Sequence, residues 1–290
     1  MHATQQDSLR YIDRLPHVEA EITYGTVVDG IERYRYDTMD RSRTNLVLET
    51  RPMNIYDVRS LRNELSYQKN GFELHDHESH FAHLANSDMI TTAEGLAYLK
   101  EKYQNEMTDY IRKVSGSSYV FPQPGSGFFV RHGSKSRIKT EQRPATLAHV
   151  DFTAKTAQEK VLEIQRAAGP LPSFRTFAIY QSWRAVSPPP QDSILCFCDG
   201  RDITSEDCQV VDSIMGPEDV PGNVYLMQMG LYRPAHVWYY FSNLNASEVI
   251  LFQGYDARHP LPVMHTVFKN RVPGATPRVS IECRHYAFFE

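Results

Sequence analysis

The chain has 290 residues, with 31 Lys and Arg against 35 Asp and Glu, a net charge of −4 at pH 7 and 41% hydrophobic residues. Acids and bases are interspersed, so there is no basic face of the kind that neutralises phosphates, which argues against a nucleic-acid partner. No apolar run approaches the roughly 20 residues of a membrane span, and Cys196, Cys198, Cys208 and Cys283 lack the paired spacing of a disulfide framework or zinc ribbon. With no signal-like apolar segment at Met1 to Gln6, a soluble, cytoplasmic, membrane-free protein is expected. The length suits one domain with a substantial core.

The first fifty residues mix short alternations such as Ile22 to Val27 with polar loops and read as an accessory arm or edge strands. Two helices are predicted next, one over 57–69 and a stronger one over 93–114. For the second, Thr91 and Glu94 form a capping-box pattern, and Leu96, Leu99, Tyr103, Met107, Tyr110 and Ile111 fall on one face, which reads as core. After Gly116 the texture becomes β-rich: 118–121, 127–131, 174–186, 194–198, 224–229, 237–241, 249–255, 264–268 and 279–289 are predicted strands, interrupted by a helix over 157–168. A mainly β fold with flanking helices, a sandwich or barrel, is expected. Its organisation is one domain over 1–290, with 1–115 as arm and helices and 116–290 as the β core.

Within that β core lies the candidate chemistry. Residues two apart on a strand share a face, so His149 and Asp151 can both reach one metal ion. A distal histidine would complete a set that binds non-haem Fe(II) and leaves positions open for a co-substrate and O2. His236 and His265 are both candidates for that ligand. His265 is favoured because Arg278 and Ser280 follow on the next strand, again two apart. A planar guanidinium fork plus a hydroxyl suits a carboxylate, so a dicarboxylate such as 2-oxoglutarate fits, its far end held there and its keto-acid end on the metal. The cluster His75, His77, His80 and His83 is a weaker metal candidate, better read as solvated loop histidines. Aromatic alternation nominates Tyr119, Phe121, Phe129, Arg131, Trp183, Trp238 and Tyr240 as substrate-binding walls. Arg184 is either a structural ion pair or a further carboxylate contact. Ser134 to Lys139 could close as a lid, although an exposed basic loop is the simpler reading.

These residues lie within blocks that resemble a known family. Ala145 to Thr153, Gln181-Ser182-Trp183-Arg184, Leu195 to Asp199, His236 to Tyr240, Leu251 to Asp256, His265 to Phe268 and Pro277 to Glu282 are similar to the cephamycin-hydroxylase-related, AsaB-like hydroxylase/desaturases. The resemblance runs from about residue 15 through most of the chain. Members tailor bacterial and fungal natural products, among them an endoperoxide former of a fungal meroterpenoid pathway. The resemblance implies a jelly-roll (double-stranded β-helix, cupin-like) core, dependence on Fe(II) and 2-oxoglutarate, His149, Asp151 and His265 as metal ligands, and Arg278 with Ser280 as co-substrate contacts. The chain departs from the pattern at Gln253, where many relatives carry lysine, and at Ala185-Val186, where Pro-Leu is more usual.

The expectation is thus an oxygenase acting on a polycyclic small molecule, with hydroxylation, desaturation and endoperoxide formation all open and homodimerisation undecided. A zinc hydrolase using the same ligands, or a non-catalytic barrel, are the competing readings. The hydrolase makes no use of Arg278 and Ser280.

Overall fold

The computed structural model describes residue 12 and residues 14–38, 40–87, 90, 92–125, 127–132, 145–220 and 222–290. In chain order these form β1 (His17–Thr26), β2 (Tyr34–Asp37), β3 (Val47–Asp57), β4 (Phe72–Asp76), helix α1 (Ala93–Ser115), β5 (Tyr119–Pro122), β6 (Phe128–His132), β7 (His149–Val150) and helix α2 (Ala154–Ala168). The remainder is β8 (Thr176–Ala185), β9 (Ser193–Cys198), β10 (Cys208–Ile214), β11 (Val224–Gly230), β12 (Trp238–Tyr240), β13 (Glu248–Asp256), β14 (His265–Lys269) and β15 (Val279–Phe289).

Two sheets result, a nine-stranded one ordered β1-β3-β12-β9-β14-β7-β11-β10-β2 and a six-stranded one ordered β4-β13-β8-β15-β5, with β6 pairing the first half of β15. Side chains of both meet between them: Leu195, Phe197 and Tyr239 from the first sheet pack with Phe72, Trp183, Ile250 and Phe252 from the second. This is the expected jelly roll. The larger sheet also curls on itself. Thr23 bridges Leu147 and Gly25 bridges Leu231, and the enclosed space is filled by Ile22, Tyr24, Cys196, Trp238 and Phe268. The N-terminal strands therefore belong to the sheets, with β1 and β2 at the two ends of the larger one, and are edge strands rather than a detached arm.

Helix α1 covers the outer face of the six-stranded sheet. Leu99, Tyr103, Met107 and Ile111 of the predicted stripe are fully buried against Ala178, Tyr180, Leu251 and Cys283, with Leu96 and Tyr110 half-buried at its margin. The cap differs by one residue: Thr92 is the N-cap, its Oγ1 accepting from the Gly95 amide at 3.0 Å, while Thr91 lies outside the described residues. Helix α2 packs its Ala157, Val161 and Ile164 on Phe152, Ile179 and Tyr286.

The helix expected over 57–69 does not form. β3 runs on to Asp57 and only one 3₁₀ turn follows, at Arg59–Leu61. Local side chains capture the amides that a helix would need. Asp57 accepts from Arg59 N at 3.0 Å, Ser66 Oγ from Lys69 N at 3.1 Å and Glu73 from Tyr67 N at 3.0 Å. All four cysteines are free thiols.

Candidate metal centre

β7 is only two residues long, yet it is pinned on both sides, Met229 of β11 pairing with His149 and His149 pairing with His265 of β14. The two histidines therefore stand side by side on the inward face, their ring centroids 4.3 Å apart. Each ring is oriented by a backbone carbonyl two residues upstream. His149 Nδ1 donates to Leu147 O at 2.7 Å and His265 Nδ1 to Val263 O at 3.1 Å. A carbonyl only accepts, so both protons sit on Nδ1 and both Nε2 lone pairs face inward, the arrangement that ligating imidazoles require. Asp151, two residues after His149, turns its carboxylate to them, with His149 Nε2 at 3.6 Å and His265 Nε2 at 3.4 Å. The three ligand atoms lie within 4.8 Å of one another and all three residues are buried. Among the described residues this is the one group of His, Cys, Asp or Glu so placed.

The donor set fits a cation. Asp151 Oδ2 has no hydrogen-bond partner among the described residues, so one carboxylate oxygen and two lone pairs converge. Burial alone would raise the pKa of Asp151, but the Arg284 guanidinium opposes it, and the carboxyl is held well below its ordinary range. Two nitrogens and one carboxylate on one side of a buried site suit a six-coordinate metal with positions left open. The cluster expected as solvated loop histidines is instead partly engaged: His75 stands in β4 with its Nε2 2.8 Å from Glu73 and its Nδ1 2.9 Å from the Tyr110 hydroxyl, and His77 Nδ1 lies 2.7 Å from Arg184.

The opposite wall comes from the six-stranded sheet. Arg278, immediately before β15, is 1% exposed, its guanidinium 5.5 Å from the Trp183 ring. Its Nε and Nη1, and the Ser280 hydroxyl, have no partner among the described residues. Burial, and then the like charge of Arg131, push Arg278 down to about 9, so it is still a cation at neutral pH. A buried guanidinium with unmatched donors beside a buried hydroxyl fits a carboxylate. Arg131 lines the same cavity and pairs with Glu282 at 3.4 Å. Burial works against ionisation of Glu282, but Arg131 and Arg284 prevail and lower its pKa.

Arg284 is the residue the sequence reading missed. It donates to Asp151 Oδ1 at 2.9 Å and to Glu282 Oε1 at 3.2 Å, and its guanidinium lies between the Phe129 and Phe152 rings at 5.1 and 5.2 Å. The signal was available, since 280, 282 and 284 share a face of β15.

The nominated residues divide. His149, Asp151, His265, Arg131, Trp183 and Arg278 border one cavity, with Ser280 paired to Arg131 in register and Phe129 beneath Arg131 at 4.8 Å. Tyr119 and Phe121 do not reach it: both pack by α2 near Phe288, the Tyr119 hydroxyl 3.4 Å from Glu290. Trp238 and Tyr240 face the other side of the larger sheet, Trp238 Nε1 donating to the Tyr24 hydroxyl at 2.7 Å and Tyr240 packing on Phe268. Tyr239 is the inward residue of that strand. His236, the alternative ligand, stacks on Tyr24 and lies 3.4 Å from Asp207. The Ser134 to Lys139 segment lies outside the described residues. Of the two departures, Gln253 ties Tyr67 O and the Leu261 amide together at 2.8 and 3.3 Å, whereas Ala185 sits opposite Ser280.

Arg184 is also redirected. It projects from the outer face of β8 and is fully buried, donating to the Tyr103 hydroxyl at 2.8 Å, to His77 O at 2.6 Å, to Ala246 O at 2.5 Å and to His77 Nδ1 at 2.7 Å. Its role is to tie α1 and two loops to the sheet. Arg184→Leu is expected to cost about 3 kcal/mol of stability, because buried acceptors lose their donors. Urea denaturation checks the loss. Calorimetric titration of the same variant with 2-oxoglutarate should show wild-type affinity, and a weakened affinity would return Arg184 to the binding site.

A family model described as oxidoreductase/YMDC permease-like domain matches residues 22–288. The chain belongs to that family. It is 28% identical over 303 residues to hydroxylase/desaturase efuI of Hormonema carpetanum, covering 95% of this chain and 96% of the relative. It is 27% identical over 259 residues to oxidoreductase R1 of a Phoma species, covering 82% and 86%. Solved structures of an iron and alpha-ketoglutarate-dependent endoperoxidase, NvfI, superpose with TM-scores of 0.77 and 0.78 at 20% and 21% identity, over 95% of this chain and 98% of theirs. These matches carry the jelly-roll fold and agree with the family resemblance in the sequence blocks.

Proposed function

We propose that this protein is a non-haem Fe(II)- and 2-oxoglutarate-dependent oxygenase that tailors a polycyclic natural product. One observation carries the reading: a buried triad able to hold a metal and a buried guanidinium with unmatched donors face each other across a single cavity. A zinc hydrolase has use for the first and none for the second. Bound together, Fe(II), 2-oxoglutarate and O2 supply the oxidising chemistry that removes hydrogen from an unactivated carbon.

The chain's own residues supply geometry. His149, Asp151 and His265 would hold the metal on one side; Arg278 offers unmatched N–H donors to the distal carboxylate, and Ser280 a further one. Leu195, Phe252 and Val267 line the remainder of the cavity and exclude water. The free space among these side chains is ≈ 30 Å³.

The names of the relatives span hydroxylase/desaturase and endoperoxidase. Endoperoxide formation on a meroterpenoid is the outcome we favour, with hydroxylation or desaturation of another secondary metabolite the alternative. The outcome turns on where the substrate carbon sits relative to the metal. One oxygenase domain over 1–290, a cytoplasmic location and a small-molecule partner belong to the same proposal. Among the described residues no helix is long and apolar enough to cross a membrane. Metal-stripped protein supplied with Fe(II), ascorbate and 2-oxoglutarate is expected to form succinate, and with Zn(II) in place of Fe(II) to form none. Absence of succinate across a panel of polycyclic substrates would overturn the reading.

A further inference from the structure

A metal-binding carboxylate can ligate through one oxygen or through both, and the difference decides how many positions remain. With two histidines and a one-oxygen aspartate, three of six octahedral positions are protein-filled; a chelating co-substrate takes two and one is left for O2. With a two-oxygen aspartate none is left. Asp151 lies just past the end of β7, where no ladder partner fixes it, so its carboxylate must be held by side chains.

Arg284 is placed to do this. Its Nη2 donates to Asp151 Oδ1 at 2.9 Å, while Oδ2 has no partner among the described residues and stands 3.4 Å from His265 Nε2. The guanidinium cannot drift, because Glu282 accepts from the same Nη2 at 3.2 Å, Arg131 anchors Glu282, and the Phe129 and Phe152 rings close over it. A cation drawn to Oδ1 would meet a fixed positive charge and displace a charge-assisted hydrogen bond in a buried site. We infer that Arg284 is a positioning residue that restricts Asp151 to one-oxygen ligation through Oδ2, and so keeps a coordination position open beside the bound co-substrate. The inference rests on the metal reading proposed above, though it does not depend on which reaction follows.

The test uses full-length protein loaded with Co(II), whose visible absorption reports coordination number without turnover, and with Mn(II) for crystallography. In wild type Asp151 is expected to ligate Mn(II) by Oδ2 alone, with Arg284 still on Oδ1. Arg284→Met should, at saturating metal, shift the Co(II) spectrum towards higher coordination. Succinate formation should fall by about tenfold or more. Arg284→Lys, which keeps a cation near Oδ1 but lacks the planar guanidinium that packs against the Phe129 and Phe152 rings, should lie between. Two-oxygen ligation in the wild-type crystal would overturn the inference whether or not Arg284→Met folds, as would an unchanged Co(II) spectrum in a folded Arg284→Met. Failure of wild type to bind either metal would remove the metal reading and this inference with it. Metal binding with one-oxygen ligation but no succinate would sink the oxygenase and leave the role of Arg284 standing.

Discussion

Arg278→Met is expected to make the ligand-free protein more stable while abolishing its response to 2-oxoglutarate. Arg278 is fully buried, its charge disfavoured by desolvation and by Arg131, with two of its nitrogens unmatched among the described residues. Replacing a buried charge by an apolar side chain of similar volume commonly gains 1–4 kcal/mol, and the ring of Trp183 already lies against the site. A gain of about 2 kcal/mol would raise the melting temperature by several degrees in a chain of this size. Wild type should instead be stabilised by the ligand itself, by about 2.7 kcal/mol at a hundredfold excess over Kd, and Arg278→Met by none. Succinate formation should fall by about two orders of magnitude or more, since an unpaired ligand carboxylate would replace a bidentate charge-assisted pair. Thermal melts of both proteins with and without 2-oxoglutarate measure this directly. A destabilised Arg278→Met that still melts higher with 2-oxoglutarate would show that Arg278 holds the wall together and that the co-substrate binds elsewhere. Such opposition between stability and function is the mark of a group retained for a ligand.

What the sequence disclosed, and what it hid, follow one physical distinction. Period-two spacing placed His149 with Asp151 on one face, and the three-to-four spacing of Leu99, Tyr103, Met107 and Ile111 placed one stripe of α1 on the sheet, because each pattern has a single buried face. Where both faces of a strand are buried, alternation still separates two sets but no longer says which is inside. β12 is such a strand. Trp238, Tyr239 and Tyr240 are all buried, and the two nominated by alternation line the curled end of the large sheet while Tyr239 faces the core between the sheets. β8 is another: if Trp183 is on the cavity wall, parity alone sends Arg184 to the α1 side. Arg284 was legible by the same parity, since Ser280 was already placed at the site and 282 and 284 share its face of β15, but Asp151 beside it could be seen only in the fold. The absent helix over 57–69 has a different cause. Asp57 and Ser66 within it, and Glu73 beyond it, offer the backbone partners that compete with a helical ladder, and propensity summed along a window does not register them.

The ligand assignment makes the sharpest demand, because two histidines competed for one role. Both are buried, and burial cannot separate them. Their surroundings can. His265 is tethered at Nδ1 by Val263 O and presents Nε2 to Asp151, with the Phe252 ring 4.9 Å away as an apolar backing. His236 shares its neighbourhood with Tyr24, Asp207 and Arg233, on the far side of the sheet; burial is the main cause that lowers its pKa, and Asp207 opposes it. His265→Ala is therefore expected to weaken Mn(II) binding by more than about 100-fold, beyond what loss of an outer hydrogen bond costs, and to abolish succinate formation. His236→Ala should leave Mn(II) affinity unchanged within about threefold and cost about 2 kcal/mol of stability, as the loss of a buried ring does. Calorimetric Mn(II) titration and urea denaturation of the two variants read both quantities. A His236→Ala protein that folds and loses the metal, beside a His265→Ala protein that keeps it, would reverse the assignment, and would place the metal in the curled end of the large sheet, away from Arg278. With His149 and His265 as ligands on the inward face of β7 and β14, metal and guanidinium would share one cavity, and only such a cavity would let a single dicarboxylate reach both.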